Sequence, residues 1–310
     1  MGIGAQNLVR IRELCERGFL RPGASIMELG AQEIYCQGKE DDLTAFVEFF
    51  VGQKRDGWRA ADLSRNQIST LADRGFASKL FKACGFEYRA LDIFDGDDVI
   101  LFDLNLHPVP QELAGRFDLV TNFGTTEHLI NQYLAMKSIH ELTKSGGCIY
   151  HHLPMGGYHS HGYFNYNPMF FEHLARANNY EVLLQRYSTN PDSTPTPAIM
   201  KACGYPEGGW VDLGIEFLAR KPGAAPFRMP LETSTSLDVN PAVWGDTVPY
   251  VRSRSAIIGQ VAAVTGFNDE NADLIAATRQ TVIDETTGWV LQKELARRYV
   301  GRLKRWFGLA

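Results

Sequence analysis

Residues 88–129, YRALDIFDGDDVILFDLNLHPVPQELAGRFDLVTNFGTTEHL, restrict the fold more than any other stretch of the chain. They hold three short apolar runs, and each leads into a polar residue. Residues 88–91 end at Asp92, residues 99–102 at Asp103, and residues 117–121 at Asn122, followed by Phe123-Gly124. Short apolar runs bounded by turn residues read as buried strands of a parallel sheet. In such sheets ligands bind beyond the carboxyl ends of the strands. Two carboxylates and an amide therefore emerge on one ligand-binding edge.

A matching run lies upstream, Ser25-Ile26-Met27-Glu28-Leu29-Gly30-Ala31-Gln32. An acid followed by Leu-Gly at a strand end resembles the first motif of class I S-adenosylmethionine-dependent methyltransferases. The ordered set Glu28, Gly30, Asp92, Asp103, Phe117-Asp118-Leu119-Val120 and Glu127-His128 is similar to that family across roughly residues 23–221. The resemblance implies an α/β, Rossmann-like fold. It has a seven-stranded, mostly parallel sheet with an antiparallel last strand and helices on both faces. It implies S-adenosylmethionine as cofactor and S-adenosylhomocysteine as product. The cofactor-binding set it marks is Glu28, Gly30, Ala31, Asp92, Asp103, Leu104, Asn122 and Phe123. Asp92 would hold the ribose hydroxyls and Asp103 would lie beside the adenine. One departure stands out: the usual glycine-rich run is reduced to Gly30-Ala31-Gln32.

The chain of 310 residues is long enough for one α/β domain with additions. A net charge of −5 supplies no general basic field for nucleic acid. No apolar run approaches the roughly 20 residues that span a bilayer. The five cysteines, Cys15, Cys36, Cys84, Cys148 and Cys203, are scattered, without a CxxC pair. They read as reduced thiols in a cytoplasmic protein.

Along the chain, residues 5–19 place Leu8, Ile11, Leu14 and Cys15 on one helical face. Residues 41–51 and 69–84 read as two further helices, the second crossing to the strand at 88–92. Residues 33–66 are then an insertion near the ligand edge, expected with the N-terminal helix to cover the ligand. A strand over 58–63 would make Asp62 a competitor of Asp92. A helix runs on to about 142, a turn spans 144–147, and a fifth strand spans 148–153. Residues 180–187 and 211–220 make the last two strands, joined by a Pro, Thr and Gly-rich loop. This sets a methyltransferase domain at 1–221. Residues 222–255 follow as a Pro/Ser/Thr-rich ordered wrap or linker, and helices over 272–284 and 292–307 lie in the C-terminal extension that ends the 222–310 segment. The last helix aligns Leu295, Tyr299, Leu303 and Trp306, with Arg297, Arg298, Arg302, Lys304 and Arg305 around them; docking or a homodimer is the favoured reading and a membrane-surface role the alternative.

Glu127-His128 opens the segment after Asn122. An acid suits a helix's first turn, but a histidine gains nothing there. All eight histidines fall between His107 and His173, and His151, His152, His159 and His161 crowd the end of the fifth strand. Structural histidines, substrate binding and a metal site compete as readings, and no metal ligand is assigned. Methyl transfer to a hydroxyl requires loss of its proton, and histidine is the usual base near neutral pH. His128, His152 and His159 are the candidate bases. Glu127, His151, His161, Tyr163, Asn165 and Tyr166 are the candidate substrate residues. Asn167-Pro168 reads as a helix cap with proline at the first helical position.

The expected reaction is methyl transfer to an oxygen, or else a nitrogen, of a small molecule such as a sugar or secondary metabolite. One rival is a nicotinamide-dependent oxidoreductase, which would want G-x-G-x-x-G after the first strand. Another is a ligand-binding or scaffold protein on the same sheet.

Overall fold

The computed structural model describes residues 2–158, 161–190, 212–233 and 248–251. The helices expected over 272–284 and 292–307, and the loop before the last strand, lie outside the described residues.

The chain enters through β1 (Ile3–Gly4) and α1 (Ala5–Glu16), then β2 (Ser25–Leu29) and β3 (Glu33–Tyr35). Next come α2 (Glu40–Gly52), α3 (Arg65–Ala72), β4 (Asp73–Phe76) and α4 (Ala77–Ala83). The strands β5 (Glu87–Asp92), β6 (Val99–Leu101) and β7 (Phe117–Phe123) carry the acidic stretch. They are followed by α5 (Gln132–Leu142), β8 (Thr143–Gly156), α6 (Pro168–Ala177), β9 (Glu181–Asn190) and β10 (Asp212–Arg220). Last come β11 (Pro230–Thr233) and β12 (Val248–Val251).

Seven strands form the main sheet in the order β6-β5-β2-β7-β8-β10-β9. The first five are parallel, and β10 runs antiparallel to both β8 and β9. Side chains alternate across each strand. Ile26 and Leu119 thus join one core cluster, under α1, α2 and α4. Met27 and Val120 join the other, under α5 and α6. The carboxyl ends of β5, β2, β7 and β8 meet at one edge. Among the described residues no helix is long and apolar enough to cross a membrane.

Two expectations need correction. The single helix read over 69–84 is two helices with β4 between them. Arg74 adopts φ 60 and a Cβ at Gly75 would fall 2.6 Å from the Leu71 backbone. The helix therefore stops at Ala72, and β4 pairs antiparallel with β3. The turn read at 144–147 lies inside β8 as a bulge: Phe117 pairs with Thr143 and Leu119 with Cys148, so four residues oppose Asp118 alone. Within the segment read as an ordered wrap or linker, β11 pairs parallel with β12. Residues 58–63 form no strand. Trp58 packs against Phe50 with ring centroids 4.7 Å apart, and exposed Asp62 pairs with Lys54 at 3.1 Å.

Candidate active site

The turn after β2 is fixed from two sides. Gly30 adopts φ +72, and a Cβ there would lie 2.8 Å from Thr125 Oγ1 and 3.0 Å from Gln32 Nε2. Glycine alone fits. The Gln32 amide lies across the turn, donating to the Leu29 carbonyl at 3.2 Å and to the Thr125 hydroxyl at 3.1 Å. Glu28 is buried beneath. Its Oε2 accepts from the Gln32 N–H at 3.0 Å and from the Tyr88 hydroxyl, and its Oε1 has no partner. Burial pushes the carboxyl's pKa up to about 7, against the opposing pull of Tyr88, the Gln32 N–H and the nearby Thr121 hydroxyl. Glu28 is placed to shape the turn, and its side chain does not reach the edge.

Asp92 does reach it. One carboxylate oxygen accepts from the Ala31 N–H at 2.8 Å and the other from the Phe94 N–H at 3.0 Å. Each oxygen keeps a lone pair for a hydroxyl donor. Asp103 caps its own turn, Oδ1 accepting from the Asn105 N–H at 2.7 Å. Leu104 is buried in the core. Exposed Ile93, Phe94 and Leu106 follow these two acids in the chain. Carboxylates for a ribose and apolar side chains for a base together suit a nucleoside.

At the ends of β7 and β8 the expected residues divide. Asn122 is buried and fully engaged, its amide bonded to Thr126 Oγ1 at 2.8 Å and His151 Nδ1 at 3.0 Å. Phe123 is buried edge-on to Tyr150. His151 is buried between Phe171 and Phe217, and its pKa is driven down to about 3 by that burial. Strand alternation takes these three side chains inward, since both faces of the sheet are buried. Tyr166 is buried too, its hydroxyl donating to Gln132 Oε1 at 2.7 Å and sharing a hydrogen bond with Thr126 Oγ1 at 2.8 Å. His152 has both ring nitrogens occupied, by Asn7 at 3.0 Å and Ser188 at 3.0 Å. His159 lies outside the described residues.

What the structure does bring together is Glu127, His128 and His161. The 3-10 turn Thr126–His128 presents the first two. His161 arrives from the loop after β8, because Gly162 lets that loop touch Glu127. Gly162 adopts φ +68, and a Cβ there would lie 2.8 Å from the Glu127 Cγ. The Tyr163 and Phe164 N–H groups then donate to the Glu127 carbonyl at 2.7 and 3.2 Å. The Glu127 side chain is 0% exposed and neither carboxylate oxygen has a hydrogen-bond partner. His161 Nε2 stands 3.5 Å from its Oε1, and His128 Nε2 3.9 Å from the same oxygen. Burial lowers the His128 pKa, with His161 adding to the fall and Glu127 opposing it. Asn165 holds the loop through the Gly157 carbonyl at 3.1 Å, and Tyr163 is exposed.

Sequence reading missed Gln32, Thr125 and Tyr88. Gln32 stands where the glycine run breaks, and that break was the available signal. The other two carry no local pattern.

A methyltransferase-domain family model matches residues 59–187, a span holding Asp92, Asp103, Glu127, His128 and His161. No curated protein matches the sequence. Among solved structures, the chain is similar to a Burkholderia thailandensis 1,6-didemethyltoxoflavin-N1-methyltransferase bound to 1,6-didemethyltoxoflavin and S-adenosylhomocysteine. That likeness is 14% identical, covers 70% of this chain and 78% of that one, and has a TM-score of 0.36. Coclaurine N-methyltransferase bound to N-methylheliamine and S-adenosylhomocysteine is 15% identical, covering 70% and 71%, TM-score 0.34. The [4+2]-cyclase SpnF is also 15% identical, covering 70% and 82%, TM-score 0.35.

Proposed function

We propose, from the premise that this chain is a class I S-adenosylmethionine-dependent methyltransferase, that it methylates an oxygen of a small molecule. The acceptor's proton would be lost at the cluster of Glu127, His128 and His161. The single observation that supports this most is the buried carboxylate of Glu127, unpartnered beside two half-exposed imidazoles at the ends of β7 and β8.

S-adenosylmethionine supplies an electrophilic methyl on a sulfonium sulfur. The residues present fit it. Asp92 keeps lone pairs for the ribose, Gly30 lets backbone approach, and Ile93, Phe94 and Leu106 offer apolar surface for the adenine. Asp92→Ala should weaken binding of S-adenosylhomocysteine by about 1–3 kcal/mol, the range for one lost hydrogen bond to a charged group. Calorimetry measures it. Normal binding by this variant would remove Asp92 from the ribose site.

An oxygen acceptor must shed one proton for each methyl it gains. The cluster of one carboxylate and two imidazoles is the group of side chains that supports loss of that proton there. The exposed ring of Tyr163 gives the acceptor a wall. Most of the remaining work is positioning and exclusion of water. The alternative nicotinamide reading has no G-x-G-x-x-G and no place for an antiparallel β10.

The test is production of S-adenosylhomocysteine with phenolic, sugar and amine acceptors. His128→Ala and His161→Ala should each lower turnover by about 10²–10⁴ with cofactor affinity unchanged. A double variant that keeps turnover within about tenfold of the parent would remove the cluster from the reaction. A parent that binds cofactor and transfers nothing to any class would favour a ligand-binding role.

A further inference from the structure

We infer that Glu127, His128 and His161 form a binding site for one first-row divalent transition cation. One oxygen of Glu127 and one ring nitrogen of each histidine lie within 4.8 Å of one another. Two of the separations are 3.5 and 3.9 Å, both measured to Glu127 Oε1. Neither is a hydrogen bond, since such bonds end near about 3.2 Å. Two ligands held at about 2.1 Å on a tetrahedral centre stand about 3.4 Å apart. The cluster is therefore too open for direct pairing and close to the spacing of ligands around an ion.

Burial strengthens the assignment. Both oxygens of Glu127 and the Nε2 of His161 are shielded from solvent and lack hydrogen-bond partners. A buried carboxylate without partners is costly, and such groups are paired or coordinate metals. The fold also constrains this arrangement closely. Gly162, at φ +68, is the position where any side chain would meet Glu127 and push the His161 loop away.

Two imidazoles and one carboxylate suit zinc, manganese, iron, cobalt or nickel. Magnesium takes oxygen ligands and has no claim on this set. Three protein ligands leave at least one position open, as catalytic sites do. The His128 and His161 side chains are 47% and 34% exposed, which puts the cluster near the surface. An acceptor hydroxyl in the open position would lose its proton to solvent. Its oxygen would then take the methyl as the sulfur–carbon bond breaks, leaving a neutral thioether. The position beside the methyl rests on the proposed function, while cation binding does not.

The full chain, prepared without a histidine tag and stripped with chelator, should be titrated with Mn²⁺, Co²⁺ and Mg²⁺ alone. We expect one Mn²⁺ or Co²⁺ per chain by calorimetry, visible Co²⁺ bands, a rise in melting temperature, and no competition from Mg²⁺. His128→Ala and His161→Ala should each weaken binding at least about tenfold, the order reported for lost support around a metal. Both positions are partly exposed, so the variants should fold, and far-ultraviolet dichroism checks this. Absence of cation uptake by the parent overturns the site, as does equal uptake by the double variant. Histidine-dependent turnover without any cation removes the site and keeps the proposed function. A bound cation with histidine-independent turnover does the reverse.

Discussion

Glu127→Gln should lower turnover by about a hundredfold or more, the lower end of the range for losing a proton-handling group, without lowering the melting temperature. The two outcomes follow from one observation. The Glu127 carboxylate is fully buried and neither oxygen accepts a hydrogen bond. A buried carboxyl group without partners carries a cost that the fold alone does not recover. The neighbouring imidazoles of His128 and His161 stand too far away for hydrogen bonds, and burial works against the charged form of His128. Glutamine keeps the shape and removes the charge. If the carboxylate served the fold, the variant would melt several degrees lower and work normally. If it serves the reaction, the order reverses: strain kept at a site is released when the site is removed. Turnover and thermal melting on the same preparation separate the cases.

The sheet was legible because parallel strands buried on both faces leave continuous apolar runs. Ile26 and Met27 face opposite cores, as do Leu119 and Val120, so neither strand shows a polar side. The same rule hid part of the site. Asn122, Phe123 and His151 lie at strand ends, where a sequence suggests ligand contact. Their side chains alternate inward, and Asn122 spends its amide on Thr126 and His151. The helix break at Asp73-Arg74-Gly75 was harder to read, since the apolar spacing continues through it. It needs a positive φ at Arg74 and a backbone approach at Gly75, both three-dimensional facts. Glu127-His128 was visible as a pair out of keeping with a helix start. Its junction with His161 was not, because that depends on Gly162 bringing a later loop onto Glu127.

Phe50→Ala should lower stability by about 3–5 kcal/mol, the usual loss for a buried phenylalanine. For a domain of this size that is roughly 6–20 °C of melting temperature. Sequence length alone suggested that the segment holding α2 was inserted after β2 as a cover for the ligand. Its packing gives α2 a larger part. Leu43, Phe46, Val47 and Phe50 are buried in the same cluster as Ile26 of β2 and Ala90 of β5. Phe50 is the centre of that contact, with Phe46, Phe49, Trp58 and Phe86 all within 5.2 Å between ring centroids. A lid that opens must shed its buried surface cheaply, and elements that move come from the low-stability end of a fold. An edge-to-face aromatic cluster is the opposite case, because each ring pair adds about 0.5–1.5 kcal/mol beyond its buried area. The helix should therefore melt with the sheet in one transition. Hydrogen exchange across 40–52 should report protection near the global value with or without cofactor. A melting temperature that falls by less than about 2 °C in Phe50→Ala would mean that α2 is detachable, and the covering role would then belong to it after all.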